Sequence, residues 1–193
     1  MAGSYGAEVP QGERYRLSFT VGGLLASQGR ALAEMYLNHL NHAGGDAECS
    51  SQTEVGKSIA AIRQQAIEEN VLAIRTDSAN RRVVAETTRR LSALTVGELA
   101  YLAGPDSSTS DREALMWIAM CRYYAIVGEF AGEVLKKHYL TGNTHLDFED
   151  YGRFIADKAT WHPELENISE GTAKKLRSNL FKAMREAHLC RRS

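Results

Sequence analysis

The sequence has few of the residues that mark secreted or extended proteins. Its 193 residues include only three prolines and three cysteines. Proline breaks helices, so its scarcity, with good helix formers throughout, favours a helical protein. Cys49, Cys121 and Cys190 are an odd number without the spacing of a disulfide framework. They indicate reduced thiols and a cytoplasmic protein.

Long apolar segments are also missing. The N-terminus carries no apolar region of the kind found in signal peptides. The most apolar stretch, residues 110–140, is interrupted by Arg122 and Glu129. It therefore falls short of the roughly 20 apolar residues that cross a bilayer. We expect no membrane association.

The signatures of catalysis are absent as well. We find no nucleophile elbow, no paired carboxylates and no glycine-rich cofactor loop. Gly56-Lys57-Ser58 resembles the end of a phosphate-binding loop, but that loop needs a glycine where Ser51 stands. The sequence predicts a protein that is not an enzyme, with no catalytic residues and no cofactor.

One group of residues could be considered for zinc. His39, His42, Asp46 and Cys49 lie close together in the sequence. Aspartate is a poor substitute in a structural zinc site, and no second cysteine pair follows. We therefore predict no metal site.

Apolar residues recur at helical spacing along most of the chain. The predicted helices cover residues 24–40, 55–72, 78–94, 96–103, 110–140, 148–155 and 170–188, with one further turn at 163–167. Residues 15–21 alternate apolar and polar side chains, which fits either a short strand or an extended lead-in. Ser78 and Asp147 are the expected N-caps of their helices, and Thr95 with Glu98 has the spacing of a capping box.

Residues 110–140 are predicted to form the central helix. Ser110 and Glu113 have the capping-box spacing just before the apolar run. Apolar and aromatic side chains cover almost every face of this stretch, which is typical of a helix packed inside other helices. The predicted fold class is all-α, a multi-helix bundle around this long helix.

A Gly-Pro-Asp-Ser-Ser segment at residues 104–108 is the clearest linker in the chain. It suggests an N-terminal helical domain over residues 1–104 and a C-terminal helical domain over residues 105–193. The two can also pack as one globule.

Positive charge is concentrated in two places, although the net charge is only −1. Residues 171–193 carry seven Lys/Arg and one acid, and residues 75–90 carry five Arg and two acids. Residues 91–170 carry six Lys/Arg against thirteen Asp/Glu. Such pooling creates local positive potential even when the total charge is near zero.

The last helix is the stronger candidate for a binding surface. A short helix, a turn and a basic helix follow one another at residues 163–188, as in a helix-turn-helix that places its second helix in the major groove. Lysine and arginine suit this role because they neutralise phosphates and release counterions. The predicted DNA-binding residues here are Lys174, Lys175, Arg177, Ser178, Lys182 and Arg185. A solvated face, or a docking face for another protein, is the alternative.

The second basic cluster follows the turn at residue 75. Its candidate DNA-binding residues are Arg75, Arg81, Arg82 and Arg89, with Arg90 beside them. Glu86 stands within one helical turn of Arg82 and Arg89, so ion pairs within the helix are an alternative explanation.

A set of short motifs runs in a fixed order through residues 15–189. They are Tyr15-Arg16-Leu17-Ser18-Phe19, Glu69-Asn70, Arg90-Leu91, Tyr123-Tyr124, Glu129-Phe130, Asp150-Tyr151, Pro163-Glu164-Leu165, Ile168-Ser169 and Lys175-Leu176-Arg177. In this order and over this length, the chain resembles the BrxA-like family, the small A component of bacteriophage-exclusion (BREX) defence systems.

The resemblance implies an all-helical, non-catalytic protein with helix-turn-helix-like parts and helical packing similar to that of the antitermination factor NusB. It also implies binding to double-stranded DNA and partnership with other BREX proteins in phage defence. An adaptor that holds another defence protein with the same basic face is the alternative function.

Overall fold

The computed structural model describes residues 14–43, 52–143 and 145–190. Within those ranges every regular element is a helix, so the all-α prediction is confirmed. The chain divides into two compact units. The middle unit is Leu24–Ala119, and the terminal unit joins the described residues of Met1–Gly23 to those of Met120–Ser193.

The middle unit contains four complete helices and most of a fifth. They are α1 (Ala26–Ala43), α2 (Gln52–Glu68), α3 (Asp77–Leu91), α4 (Val96–Ala103) and α5 (Thr109–Tyr123). Helix α1 packs against α2, α3 and α4. Apolar side chains from these helices are fully buried, among them Leu32, Ile59, Ile62, Val84 and Leu99. The segment 104–108 lies within this unit.

Local capping signals set where these helices begin. Thr95 accepts from the backbone N–H of Glu98 at 3.2 Å, and Glu98 accepts from that of Thr95 at 2.8 Å, which confirms the predicted capping box. Helix α3 begins earlier than predicted, because Thr76 is its N-cap and accepts from Ala79 at 3.4 Å. The prediction that Ser78 is the cap is wrong.

A buried ion pair lies within α3, and its arginine also binds the segment just before α1. Arg90 is 0% exposed, and its Nε donates to Glu86 Oε1 at 2.9 Å. Its guanidinium also donates to the carbonyl oxygen of Leu24 at 3.1 Å. Arg90 therefore belongs to the interior of the middle unit and is not part of the basic surface, contrary to its grouping with the neighbouring arginines.

The terminal unit contains the rest of the helices. Beyond α5 come α6 (Ala125–Phe130), one π-helical turn (Ala131–Leu135), α7 (Lys136–Leu140), α8 (Phe148–Ala159), a 3-10 turn (Pro163–Leu165) and α9 (Glu170–Glu186). Asp147 caps α8 by accepting from Glu149 and Asp150, as predicted. No helix among the described residues is long and apolar enough to cross a bilayer.

The central stretch is not one continuous helix. Its first helix is capped by Ser108 and Asp111, two residues before the predicted pair. The helix then breaks at Tyr124, whose backbone is extended (φ −109°, ψ 95°). Tyr124 is fully buried, and its ring packs 5.0 Å from that of Phe19. After the break the chain passes so close to itself that a Cβ on Gly128 would lie 2.8 Å from the Cys121 carbonyl oxygen.

The described N-terminal residues form an extended lead-in that is anchored to the terminal unit. The backbone N–H of Tyr15 donates to Glu164 Oε1 at 2.7 Å, and its hydroxyl donates to Glu129 at 2.7 Å. The Tyr15 ring lies 3.9 Å from that of His162. The carbonyl oxygen of Phe19 accepts from the Asn179 side chain, which ties the lead-in to α9 as well.

We expect this anchor to weaken in acid. Burial alone would raise the pKa of Glu164, but the N–H groups of Tyr15 and Glu164 and the His162 side chain outweigh it and lower that pKa. A lowered folded-state pKa gives stability that is present above the ordinary carboxyl value, near 4.5, and is lost as the pH falls further. Glu164→Gln should cost about 1–2 kcal/mol at neutral pH, and less as the pH falls below that value.

Thermal unfolding at neutral and acidic pH measures this difference. Glu166→Gln is the matched control, because Glu166 is exposed in the same turn. The difference in unfolding midpoint between the Glu164→Gln variant and wild type should shrink in acid. A difference that stays constant from neutral pH to pH 3.5 would contradict an anchor made by the Glu164 carboxylate.

Candidate nucleic-acid interface

Helix α9 is built as the sequence predicts. Ser169 caps it by accepting from the N–H of Thr172 at 3.3 Å. Leu176, Leu180 and Met184 are buried and form its inner seam, and Phe181 and Ala183 are buried beside them. Lys174, Lys175, Ser178 and Lys182 lie on the exposed side of the helix.

The basic side chains of α9 differ in how accessible they are. Lys174, Lys175, Ser178 and Lys182 are exposed, whereas Arg177 and Arg185 are half-buried. Lys182 lies 3.7 Å from Glu186. Lys174 and Lys175 are exposed and make no ion pair with any described residue. These two lysines are therefore the cations on α9 that are most available to a phosphate.

Arg177 is held in place by an aromatic ring. Its guanidinium carbon lies 4.4 Å above the centre of the Phe148 ring, which in turn packs edge-on against Phe181 at 4.8 Å. The Arg177 Nε is buried and has no hydrogen-bond partner among the described residues. Stacking on an aromatic face fixes the plane of a guanidinium while its charge persists. The sequence alone did not reveal Phe148 as part of this surface.

The connection before α9 differs in detail from a compact helix-turn-helix. Residues 160–169 separate α8 from α9, and the short helix predicted there is a single 3-10 turn of three residues. The turn of a typical helix-turn-helix has three or four residues. Glu170 occupies the first turn of α9, where its charge suits the helix dipole but opposes a phosphate. Insertion of α9 into the major groove, as in a helix-turn-helix, therefore stays a prediction.

The second basic cluster lies on and just before α3, in the middle unit. Arg75, Arg81 and Arg82 are exposed and Arg89 is half-buried. Arg81 pairs with Asp77 at 2.8 Å, and the hydrogen bond that its Nε donates to that carboxylate raises the pKa of Arg81. Arg82 donates to the backbone carbonyl of Ser78.

Glu86 contacts this cluster differently from what was expected. It lies 4.0 Å from Arg89, but its shorter ion pair, at 2.8 Å, is with the buried Arg90. The structure thus leaves Arg75 and Arg82 without a carboxylate partner within the described ranges, whereas Asp77 partly neutralises Arg81.

The phosphate-loop and zinc candidates considered in the sequence gain no support from the described residues. Gly56-Lys57-Ser58 lies inside α2, which is not the loop that holds a phosphate. Among the residues whose placement is described, no three His, Cys, Asp or Glu side chains could hold a metal ion together. Asp46, Cys49 and the side chain of His42 lie outside the described residues.

Comparisons with known proteins point to the same family as the order of the sequence motifs. The family model described as BrxA matches residues 13–193. A curated relative, the BREX protein BrxA of Escherichia coli O9:H4 (strain HS), is 25% identical over 125 residues. That alignment covers 65% of this chain and 58% of the relative, so the chain spans less than two thirds of the relative's length.

A solved structure shares the fold. It is the crystal structure of an uncharacterized protein from Magnetospirillum magneticum, with a TM-score of 0.67 and 18% sequence identity. The match covers 91% of this chain and 80% of that one. At this identity the likeness concerns the fold alone. Since the family model covers nearly the whole sequence, the chain belongs to the BrxA family.

Proposed function

We propose that this protein is a non-catalytic, double-stranded DNA-binding accessory component of a BREX phage-defence system, acting in the cytoplasm with other BREX proteins. The family assignment and the name of the Escherichia coli relative, BREX protein BrxA, support the BREX part of the proposal. The observation that carries DNA binding is the exposed pair Lys174 and Lys175 in the first two turns of α9, with no carboxylate bound to either among the described residues.

The physical basis is phosphate neutralisation. Each lysine that meets a DNA phosphate releases condensed counterions, which favours binding without regard to base sequence. Arg177, held over the Phe148 ring, adds a preorganised guanidinium next to the two lysines. Ser178 and Lys182 extend the same face by one and two further turns. In this proposal Arg185 lies at the margin, because it is half-buried.

The arginines near α3 form a second proposed contact. Arg75 and Arg82 are its main contributors, with Arg81 and Arg89 weakened by Asp77 and Glu86. Each ion pair must be broken or shared before the arginine can bind a phosphate, so this contact should add less affinity than α9.

Binding of a short duplex at two salt concentrations tests the proposal. Three phosphate contacts, by Lys174, Lys175 and Arg177, predict that affinity falls at least about 40-fold between 50 and 200 mM salt, and any further contact steepens the fall. Fluorescence anisotropy of a labelled duplex measures this directly. Absence of any shift at the lower salt concentration would contradict the proposal.

An adaptor that binds another BREX protein is the second candidate function. It is favoured by large apolar side chains exposed in the terminal unit, namely Tyr139 (85% exposed), Leu140 (71%) and Trp161 (73%). Aromatic residues are enriched at protein interfaces. An adaptor would leave the duplex unshifted at both salt concentrations and would co-elute with a BREX partner.

A further inference from the structure

A cleft of about 410 Å³ lies in the middle unit, where α1 and α5 both begin. Two arginines, Arg30 from α1 and Arg112 from α5, line it together with the hydroxyl-bearing residues Ser27 and Thr109. A carboxylate, Glu34, completes the polar lining. The cleft thus gathers two positive charges, two hydroxyls and one negative charge.

A glycine allows the two helices to approach each other beside the cleft. A Cβ on Gly29 of α1 would lie 2.5 Å from the sulfur of Met116 on α5. Any larger residue would have to displace that side chain. Arg30 follows Gly29 directly, so this close packing brings its side chain and Arg112 to the same cleft.

Arg112 is fixed by the turn before α5. Its Nε donates to the Ser107 hydroxyl at 2.9 Å, and a terminal nitrogen donates to the Ser107 carbonyl oxygen at 2.5 Å. These bonds use two of the five N–H donors of the guanidinium. The remaining donors stay available in a defined orientation.

Arg30 is attracted to Glu34 without a well-aligned hydrogen bond. Its Nε lies 2.9 Å from Glu34 Oε1, yet that nitrogen is buried and has no hydrogen-bond partner among the described residues. The Arg30 side chain is only 38% exposed. Glu34 thus partly neutralises Arg30 through its Nε, and the terminal N–H donors of the guanidinium remain available to a ligand.

The first turn of α1 adds further donors. The first backbone hydrogen bond of this turn runs from Gly29 to the Leu25 carbonyl oxygen, at 2.7 Å. The N–H groups of Ala26 and Ser27, two residues that line the cleft, have no acceptor in the described part of the chain. Such amides, at the positive end of an 18-residue helix, favour an anion.

We propose that this cleft is a binding site for a phosphate group, with Arg30 and Arg112 supplying charge, the α1 amides and the two hydroxyls supplying directed hydrogen bonds, and Glu34 opposing the anion. The rest of the lining is alanine, so no aromatic ring is present to stack on a base. The site therefore recognises the phosphate itself, whether free, on a small phosphomonoester or in a nucleic-acid backbone. It does not depend on the DNA-binding proposal, because other helices form it.

Calorimetric titration of the full chain with inorganic phosphate, at constant ionic strength, tests the site. Arg30→Gln should weaken phosphate binding about tenfold, the effect of losing one charge-assisted hydrogen bond. Glu34→Gln should instead tighten it several-fold, because it removes the opposing charge. Arg63→Gln, an exposed arginine on α2, is the control and should leave the affinity unchanged.

The two variants are expected to change phosphate affinity in opposite directions, which distinguishes an effect on binding from an effect on folding. Both Arg30→Gln and Glu34→Gln remove the same ion pair, so an effect that came only from stability would move both variants in the same direction. Equal affinities in wild type and both variants, or no heat at roughly 10 mM phosphate, overturn the proposal. If Arg30→Gln does not fold, a Glu34→Gln affinity that fails to rise overturns it as well.

Two further measurements identify the source of the phosphate. Competition between inorganic phosphate and a short duplex would assign the site to a nucleic-acid backbone, and independent binding would assign it to a small phosphate compound. The variant Lys174→Gln/Lys175→Gln should keep its phosphate affinity even if it loses DNA. Failure of the DNA-binding proposal is therefore distinguishable from failure of this one.

Discussion

Replacing Lys174 and Lys175 together with glutamate is expected to weaken binding of a short duplex by at least about tenfold at low salt. The change removes two cations that no described carboxylate neutralises and places two anions in the first two turns of α9. The slope of log affinity against log salt should fall by about 1.8, which corresponds to two lost phosphate contacts. Anisotropy titrations at several salt concentrations give both numbers.

A second lysine pair provides the matched control. Lys136 and Lys137 are adjacent and exposed in the same terminal unit, at the start of α7. Replacing both with glutamate changes the net charge by the same amount. We expect a much smaller loss of affinity and an unchanged salt slope. An equal effect from the two double variants would mean that net charge, and not the α9 surface, determines binding.

Arg90→Met is expected to lower the free energy of unfolding by about 3–5 kcal/mol, the usual cost of removing one partner of a buried ion pair. The substitution leaves the Glu86 carboxylate buried without its cation and removes the donor to the Leu24 carbonyl oxygen. For a chain of this size the midpoint of thermal unfolding should fall by about 6–20 °C. Denaturant unfolding followed by circular dichroism measures the free energy.

The control for this prediction lies on the same helix. Arg81 makes an ion pair with Asp77 that is exposed on both sides. Arg81→Met should therefore leave stability almost unchanged. Adding Glu86→Leu to Arg90→Met should restore part of the loss, because no buried charge then remains unpaired. If Arg90→Met costs no more than Arg81→Met, the buried pair does not support the middle unit.

The sequence predicted most of the helices because their signals are local. The capping boxes at Thr95 and Asp147 and the Ser169 cap involve residues at most three positions apart. Apolar residues at helical spacing also predicted a helix over residues 170–188, where α9 spans Glu170–Glu186. Such features depend on the helix itself and very little on what packs against it.

The break at Tyr124 could not be predicted in this way. No proline marks it, and every local pattern favours a continuous helix. The residues that accompany the break are the Phe19 ring, more than a hundred positions earlier in the sequence, and the Cys121 carbonyl oxygen beside Gly128. Tertiary packing of this kind overrides helical propensity.

The candidate site was predictable in outline only. Helical spacing placed Lys174, Ser178 and Lys182 on one exposed face, as observed. Residue type does not reveal burial, so Arg90 was grouped with a basic surface although it is fully enclosed. The ring of Phe148 beneath Arg177 was missed because the two residues are separated by 29 positions and share no local pattern.

Lysine acetylation of the wild-type protein, with and without a short duplex, tests the central proposal most directly. Mass spectrometry reports the modification rate of each lysine separately, and no substitution is required. DNA should protect Lys174, Lys175 and Lys182 several-fold, while Lys136 and Lys137 react at the same rate in both samples. Protection at Lys136 and Lys137, with α9 reacting equally with and without the duplex, would contradict the assignment of α9 as the DNA-binding surface.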